Sequence, residues 1–244
     1  MKILLTSWLG GIEKVNGVRV PAPLANRNCL LDTLKSIWIQ NAKVFIVCGD
    51  PDNHAKNDAI CACLKEAFPM SGLSISGIVS CDDRNPNAAE QLSDTDVLVL
   101  AGGHVPSQNA FMKKIHLKER LETFRGIIVT WSAGAINCAG IVYAGPELDG
   151  EAIDPAYERW IPGLGLTELN LFPHYQSLKE DMLDGLRLME DITYPDSFVH
   201  ELIALNDGSY ILLDDGKATL FGEAYKIRDG KLWQICRDEE SIPL

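Results

Sequence analysis

The sequence predicts an α/β fold in which a mainly parallel sheet carries helices on both faces. Over the first 130 residues, short apolar segments alternate with segments in which apolar residues recur at helical spacing. The apolar segments are rich in β-branched residues, and several end at glycines or other small residues. Strands that are apolar throughout have no face suited to water, so they belong to a sheet that is covered on both sides.

The elements of this pattern are predicted from the periodicity of the apolar residues. Strands are expected over 2–7, 43–48, 73–81, 96–100 and 126–130, and helices over 29–41, 58–68 and 106–124. Because ligands bind at the carboxyl ends of parallel strands, the residues that follow 100 and 130 are candidates for a site.

The second half of the chain is predicted from different signals. Repeated Gly and Pro over 138–162 indicate a long loop, and 169–172 resumes a strand. Apolar spacing predicts an amphipathic helix over 177–192. Short strands follow within 201–235, with Asp-Gly turns at 207–208, 215–216 and 229–230 that suit hairpins. No repeat or linker interrupts the pattern, so we expect one domain over 1–244.

Composition and charge exclude several classes of function. The chain has 244 residues, 46% of them hydrophobic, and a formal net charge of -12. An acidic surface repels phosphate backbones, so nucleic acid is not an expected partner. Lys/Arg clusters that would hold the chain to an anionic membrane are missing, as is any apolar stretch long enough to span one.

The cysteines and histidines give no metal or disulfide pattern. Seven cysteines occur at irregular spacing without a C-x-x-C pair, which indicates a reduced, cytoplasmic protein. No signal peptide is visible at the start of the chain. The five histidines are not at ligand spacing, so we expect no metal and no cofactor.

Ser132 is the candidate nucleophile. The segment GIIVT-W-S-A-G-A runs a β-branched strand into a serine that is followed by small residues, which is typical of a sharp strand-to-helix turn. At such a turn the hydroxyl projects from the helix N-terminus, where free backbone N–H groups favour a developing oxyanion. Thr130 stands where G-x-S-x-G has its first glycine, and a serine that only caps a helix is the alternative interpretation.

Gly102 and Gly103 follow another predicted buried strand. Glycines let a backbone approach a ligand closely, so backbone N–H groups of this turn could complete an oxyanion hole with the N–H of Ala133. The alternative is a simple tight turn. His104, next in the chain, is a candidate for lining the pocket or for a solvated loop position.

His174 is the candidate general base. It follows the predicted strand that ends at Pro173, and histidine titrates near neutral pH, as a serine's base must. An acid should orient the base, and the sequence leaves several open. These are Asp149, Asp154, Glu168 and Asp207.

Together these segments resemble the peptidase E family of aspartyl dipeptidases and the related cyanophycinases. The resemblance runs from about Asp96 to Tyr210 and rests on DVLVLAGG, IIVTWSAGA, LFPHY and ALNDGSYILL, in the order that the family shows. It implies a three-layer α/β sandwich of the glutamine-amidotransferase-like class. It also implies a triad of Ser132, His174 and Asp207, with Gly103 and Ala133 as oxyanion donors.

The sequence departs from the family in three ways. Asp207 stands where the dipeptidases typically have Glu, and His104 where they have Asn. The resemblance implies basic side chains after the Pro-His motif that bind the substrate's aspartate, but Lys179 and Arg187, the cations there, do not match that pattern, so we expect weak or no preference for an N-terminal aspartate. His104 and Lys179 are the candidate substrate-binding residues.

The favoured function is a serine exopeptidase that hydrolyses dipeptides or short peptides through an acyl-enzyme. One alternative is a cyanophycinase-like hydrolase of β-aspartyl-arginine peptides, whose cationic substrate suits the acidic surface. The other is a non-catalytic binding protein of the same fold. The expected partner is a small peptide substrate, and a homodimer is left open.

Overall fold

The computed structural model describes residues 1–244. Its strands are β1 (Lys2–Thr6), β2 (Gly10–Val15), β3 (Val18–Leu24), β4 (Ala42–Val47), β5 (Ile75–Cys81), β6 (Val97–Leu100), β7 (Ile127–Trp131), β8 (Ile141–Tyr143), β9 (Trp160–Pro162), β10 (Leu171–Phe172), β11 (Met182–Leu183), β12 (Leu186–Arg187), β13 (Leu202–Leu205), β14 (Tyr210–Asp214), β15 (Lys217–Phe221), β16 (Ala224–Arg228), β17 (Lys231–Cys236) and β18 (Ser241–Pro243). Its α-helices are α1 (Leu30–Ile37), α2 (His54–Met70), α3 (Val105–Lys114), α4 (Leu117–Leu121), α5 (Ala133–Ile136), α6 (Tyr175–Leu178) and α7 (Tyr194–Asp196). Short 3-10 helices cover Arg27–Cys29 and Pro86–Asp94, and a π-helix covers Leu188–Thr193.

The main sheet has eight strands in the order β18-β15-β14-β1-β7-β6-β4-β5. The pairs β1–β7, β7–β6, β6–β4 and β4–β5 are parallel, and β14, β15 and β18 extend the sheet in antiparallel pairing. Strand β1 therefore lies inside the sheet, between β7 and β14. The prediction of an α/β fold with a mostly parallel sheet flanked by helices is confirmed.

Successive side chains of the main sheet's strands point to opposite faces. Both faces are buried, each in its own core cluster. In β1, Leu4 packs into one core cluster while Ile3 and Leu5 pack into another. The Leu4 cluster includes the apolar faces of α1 and α2, and the other includes those of α3 and α4. The sheet is thus the middle of three layers.

A second, smaller sheet stands beside the first. Its order is β10-β13-β16-β17, and β10 pairs parallel with β13. Phe172 and Leu202 of its strands form one buried cluster with Tyr175 of α6 and with Met189 and Ile192 of the π-helix. Because β10 and β13 are parallel neighbours, the residues that follow them meet at one edge of this sheet.

The predicted helix over 177–192 is wrong. The segment holds the end of α6, the hairpin of β11 and β12, and the start of the π-helix. Asp184 and Gly185 join the two strands with φ of 53° and 81°, and such a turn reverses the chain where apolar spacing alone predicts a continuous helix.

Three other segments differ from the sequence prediction. Within the predicted loop over 138–162, strands β8 and β9 pair antiparallel. The predicted helix over 106–124 is divided into α3 and α4 at His116, whose φ is 52°. Strands β2 and β3 form an unpredicted hairpin, turned at Asn16 and Gly17 with φ of 51° and 81°. No helix combines the length and apolar character needed to cross a membrane.

Candidate active site

Ser132 lies between β7 and α5 in a sharp turn. Its φ of 51° and ψ of -122° are unusual for a residue with a side chain, and such backbone strain costs about 1–3 kcal/mol. The turn is held by the Ser132 N–H, which donates to the Thr6 carbonyl at 3.1 Å. A Cβ on Gly134 would overlap the Leu100 carbonyl oxygen, so packing requires a glycine two positions after the serine.

Gly102 and Gly103 form the loop after β6 and lie directly beside this turn. A Cβ on Gly102 would lie 2.5 Å from Trp131 Nε1 and 3.1 Å from Ser132 Cβ, which leaves room only for glycine. The Gly103 N–H donates to no acceptor in the protein. Ala133 is the first residue of α5, where an N–H has no intrahelical partner. Both groups are therefore available to bind an oxyanion.

His174 and Asp207 meet at the edge of the smaller sheet, as the parallel pairing of β10 and β13 requires. His174 Nδ1 lies 2.7 Å from Asp207 Oδ1. Of the four acids that the sequence leaves open, Asp207 is the one that contacts His174. Asp154 Oδ1 instead accepts from the Ala156 N–H within its own loop.

Ser7, which the sequence analysis did not single out, forms hydrogen bonds with both His174 and Asp207. Its side chain is fully buried at the end of β1, and its Oγ donates to Asp207 Oδ1 at 2.7 Å. The same Oγ accepts from the His174 N–H at 2.8 Å. Gln176 Oε1 accepts from the Asp207 N–H at 2.9 Å. Ser7 is the last residue of the predicted strand over 2–7, and its place at a strand end was the signal that could have identified it.

The carboxyl of Asp207 is held in its ionised form. Burial raises its pKa, but hydrogen bonds from His174, Ser7 and Gln176 and the charge of His174 outweigh burial, so the pKa lies below its ordinary value. An ionised Asp207 accepts from the His174 Nδ1–H and leaves Nε2 free to accept a proton.

Ser132 and His174 both line the same two cavities. No hydrogen bond joins their side chains, and catalytic contacts of this kind often tighten only when a substrate binds. The first cavity is about 330 Å³, and the second is about 280 Å³.

The two cavities differ in character. The first is largely apolar and includes Phe172, Leu178 and Leu188, with Glu147 and Asp181 as its acidic side chains. The second is lined by the β2–β3 hairpin and its neighbours. Its lysine and arginine side chains are Lys14, Arg19 and Lys56, and no carboxylate lines it.

Glu147 belongs to the wall of the first cavity. It is open to the cavity's solvent, yet protein surrounds it on most sides, and this partial desolvation raises the pKa of Glu147 to about 7. The charges of Glu151 and Asp50 act in the same direction. The loop that carries Glu147 is fixed by Glu151, whose Oε2 accepts from the Glu147 N–H at 2.8 Å and from the Leu148 N–H at 3.0 Å.

The structure does not bring the two predicted substrate-binding residues to the cavities. His104 contacts Ser107 Oγ through Nδ1 at 2.7 Å and Glu151 Oε1 through Nε2 at 2.9 Å, so it helps to fix the Glu147 loop. Lys179 is exposed at the end of α6 and lines neither cavity. Arg187, the other cation after the Pro-His motif, pairs with Asp191.

Comparisons with known proteins identify the family. The model of peptidase family S51 matches residues 29–221, which is well over half of the chain. The fold is similar to the crystal structure of a protein provisionally identified as peptidase E from Listeria monocytogenes EGD-e. That structure is 12% identical and superposes with a TM-score of 0.59, over 96% of this chain and 98% of the other. A comparison with curated proteins gave no match. The chain belongs to peptidase family S51.

Proposed function

We propose that the chain is a serine peptidase that hydrolyses dipeptides or other short peptides, with Ser132 as nucleophile, His174 as general base and Asp207 as the orienting acid. The contact between His174 Nδ1 and Asp207, beside cavities that Ser132 also lines, is the observation that carries the proposal. Membership in family S51 supports a peptidase activity.

The mechanism follows from the positions of these groups. His174 Nε2 takes the proton of the Ser132 hydroxyl as the oxygen attacks the peptide carbonyl, and a bond forms between Ser132 Oγ and the carbonyl carbon. The carbonyl oxygen becomes an oxyanion, for which the N–H groups of Gly103 and Ala133 are the donors. His174 then gives its proton to the leaving amine as the C–N bond breaks. Water hydrolyses the acyl-enzyme by the same steps in reverse order.

The role of Asp207 is to hold the imidazole. Its carboxylate fixes the proton on Nδ1 and stabilises the imidazolium that forms during attack. Ser7 holds both partners, because its hydroxyl bonds the Asp207 carboxylate and the His174 backbone at once. The base therefore keeps its orientation before the substrate arrives.

A fluorophosphonate probe tests the nucleophile directly. We expect mass spectrometry to find the label on Ser132, and Ser132→Ala to abolish labelling and lower kcat by at least ~10³-fold on a cleaved dipeptide. Ser93→Ala, at an exposed serine far from the site, is the matched control. Label on another residue, or full turnover by Ser132→Ala, contradicts the proposal. A wild-type chain that takes no label and cleaves no dipeptide is a non-catalytic relative.

A further inference from the structure

The second cavity carries an unusual concentration of positive charge. The protein has a net charge of -12, yet this cavity is lined by Lys14, Arg19 and Lys56 and by no carboxylate. Lys56 pairs with Asp50, but no salt bridge joins Lys14 or Arg19 to an acid. A local positive cluster of this kind on an acidic protein points to an anionic ligand.

The hairpin places the two unpaired cations side by side. Lys14 of β2 and Arg19 of β3 are direct cross-strand partners. Like charges at such a position destabilise a hairpin unless an anion lies between them. A carboxylate is the anion that suits an arginine guanidinium, which can donate two parallel hydrogen bonds to it.

The first cavity has the opposite polarity. Glu147 and Asp181 line it, and no salt bridge joins either of them to a cation. An acid in a largely apolar cavity gains most from a ligand that brings an ammonium group. We therefore expect the part of the ligand in the first cavity to be positively charged and the part in the second cavity to be negatively charged.

From these observations we propose that the two cavities orient a zwitterionic dipeptide, with its free amino terminus near Glu147 and its free C-terminal carboxylate at Lys14 and Arg19. This inference rests on the proposed function, because the scissile carbonyl must lie at Ser132, which lines both cavities. The acyl residue then occupies the apolar cavity, and the leaving amino acid occupies the cationic one. A longer peptide lacks a carboxylate at the second position, so the same charges restrict the enzyme to short substrates.

Four substrates test the assignment: Leu-Ala, Leu-Ala amide, N-acetyl-Leu-Ala and Asp-Ala. For the wild-type chain we expect amidation and acetylation each to lower kcat/KM by about tenfold or more, since each removes a charge-assisted contact. In Lys14→Gln/Arg19→Gln the penalty for amidation should shrink to about twofold while the penalty for acetylation remains. Glu147→Gln should show the reverse pattern.

A matched control separates this role from a general effect of charge. Lys217→Gln/Lys231→Gln removes two exposed cations on β15 and β17, outside both cavities, and should keep both penalties. Equal amidation penalties in the hairpin variant and the wild-type chain overturn the proposal. A selective loss of Asp-Ala cleavage in the hairpin variant also overturns it, because the cations then bind an acidic side chain.

Fluorophosphonate labelling keeps this test distinct from that of the proposed function. Labelling requires Ser132 and its base but no charged end on the substrate. A wild-type chain that takes no label loses the proposed function itself. A chain that is labelled, with the hairpin variant labelled at the same rate, but that shows no dependence on terminal charge, keeps the function and loses the dipeptide assignment.

Discussion

At the scale of single residues, the site depends on a side chain that takes no part in bond making. Asp207 accepts from His174 at 2.7 Å and from Ser7 at 2.7 Å, and these bonds keep its pKa below the ordinary value despite burial. The His174 imidazole is therefore oriented by an acceptor that stays charged in mildly acidic solution.

Replacing the Asp207 carboxylate should remove the orientation of the His174 ring while the protein stays folded. In Asp207→Asn the amide can donate to Nδ1, which places the proton on Nε2, where the serine proton must go. We expect kcat to fall by at least ~10²-fold while the variant remains folded, as in other triads where the acid is replaced by its amide. Asp94→Asn, at an exposed aspartate, is the control. Turnover within about twofold of wild type contradicts the role of Asp207.

At the scale of secondary-structure elements, the turn between β7 and α5 places Ser132 because glycines let other backbones approach. Gly134 lies against the Leu100 carbonyl at the end of β6, and Gly102 lies against Trp131. The ends of β6 and β7 therefore pack closely at two positions where only a glycine, without a side chain, fits.

A single methyl group should loosen this contact. Gly134→Ala forces its Cβ into the Leu100 carbonyl, and overpacking of this kind costs about 1–3 kcal/mol. We expect a fall in Tm of about 2–12 °C for a chain of this size. In Gly77→Ala, where a Cβ meets nothing within 4 Å, Tm should change by less than about 2 °C. Equal Tm values for the two variants would show that the turn has room to adjust.

Periodicity and motif order predicted most of the strands of the main sheet and placed Ser132 and His174 after strands, but they did not predict that those strands, β7 and β10, belong to different sheets. They failed where short turns decide the structure. Asn16-Gly17 and Asp184-Gly185 each reverse the chain between strands, yet the first was overlooked and the second was included in a helix. The cations of the second cavity could not be predicted from spacing, because Lys14 and Lys56 come from separate segments that only the folded chain brings together.

At the scale of the whole molecule, titration of the site's carboxyls acts on stability in opposite directions. The lowered pKa of Asp207 stabilises the fold above the carboxyl's ordinary range, and that contribution is lost as the pH falls through the folded-state pKa. The pKa of Glu147 is raised from 4.5 to about 7, so its contribution is present at low pH. It is lost between about pH 4.5 and 7.

Removing the Glu147 charge should therefore stabilise the protein at high pH only. We expect Glu147→Gln to raise Tm at pH 8 by about 2–4 °C, the shift that roughly 1 kcal/mol produces, since solvent in the cavity screens part of the effect. At pH 4 the two proteins should unfold within about 1 °C of each other. Thermal unfolding followed by circular dichroism gives both values. A gain of the same size at both pH values would mean that packing, and not charge, is responsible.

The place of β1 inside the sheet has a consequence for the order in which the site forms. β1 is synthesised before both of the strands with which it pairs, β7 and β14, and Ser7, which follows β1, meets a carboxylate 200 positions later in the chain. Contacts of such sequence separation form slowly, because a long loop must close before they contribute. On the ribosome, the proposed triad cannot assemble until Asp207 has emerged. The nascent chain likewise lacks the second neighbour of β1 until β14 has emerged.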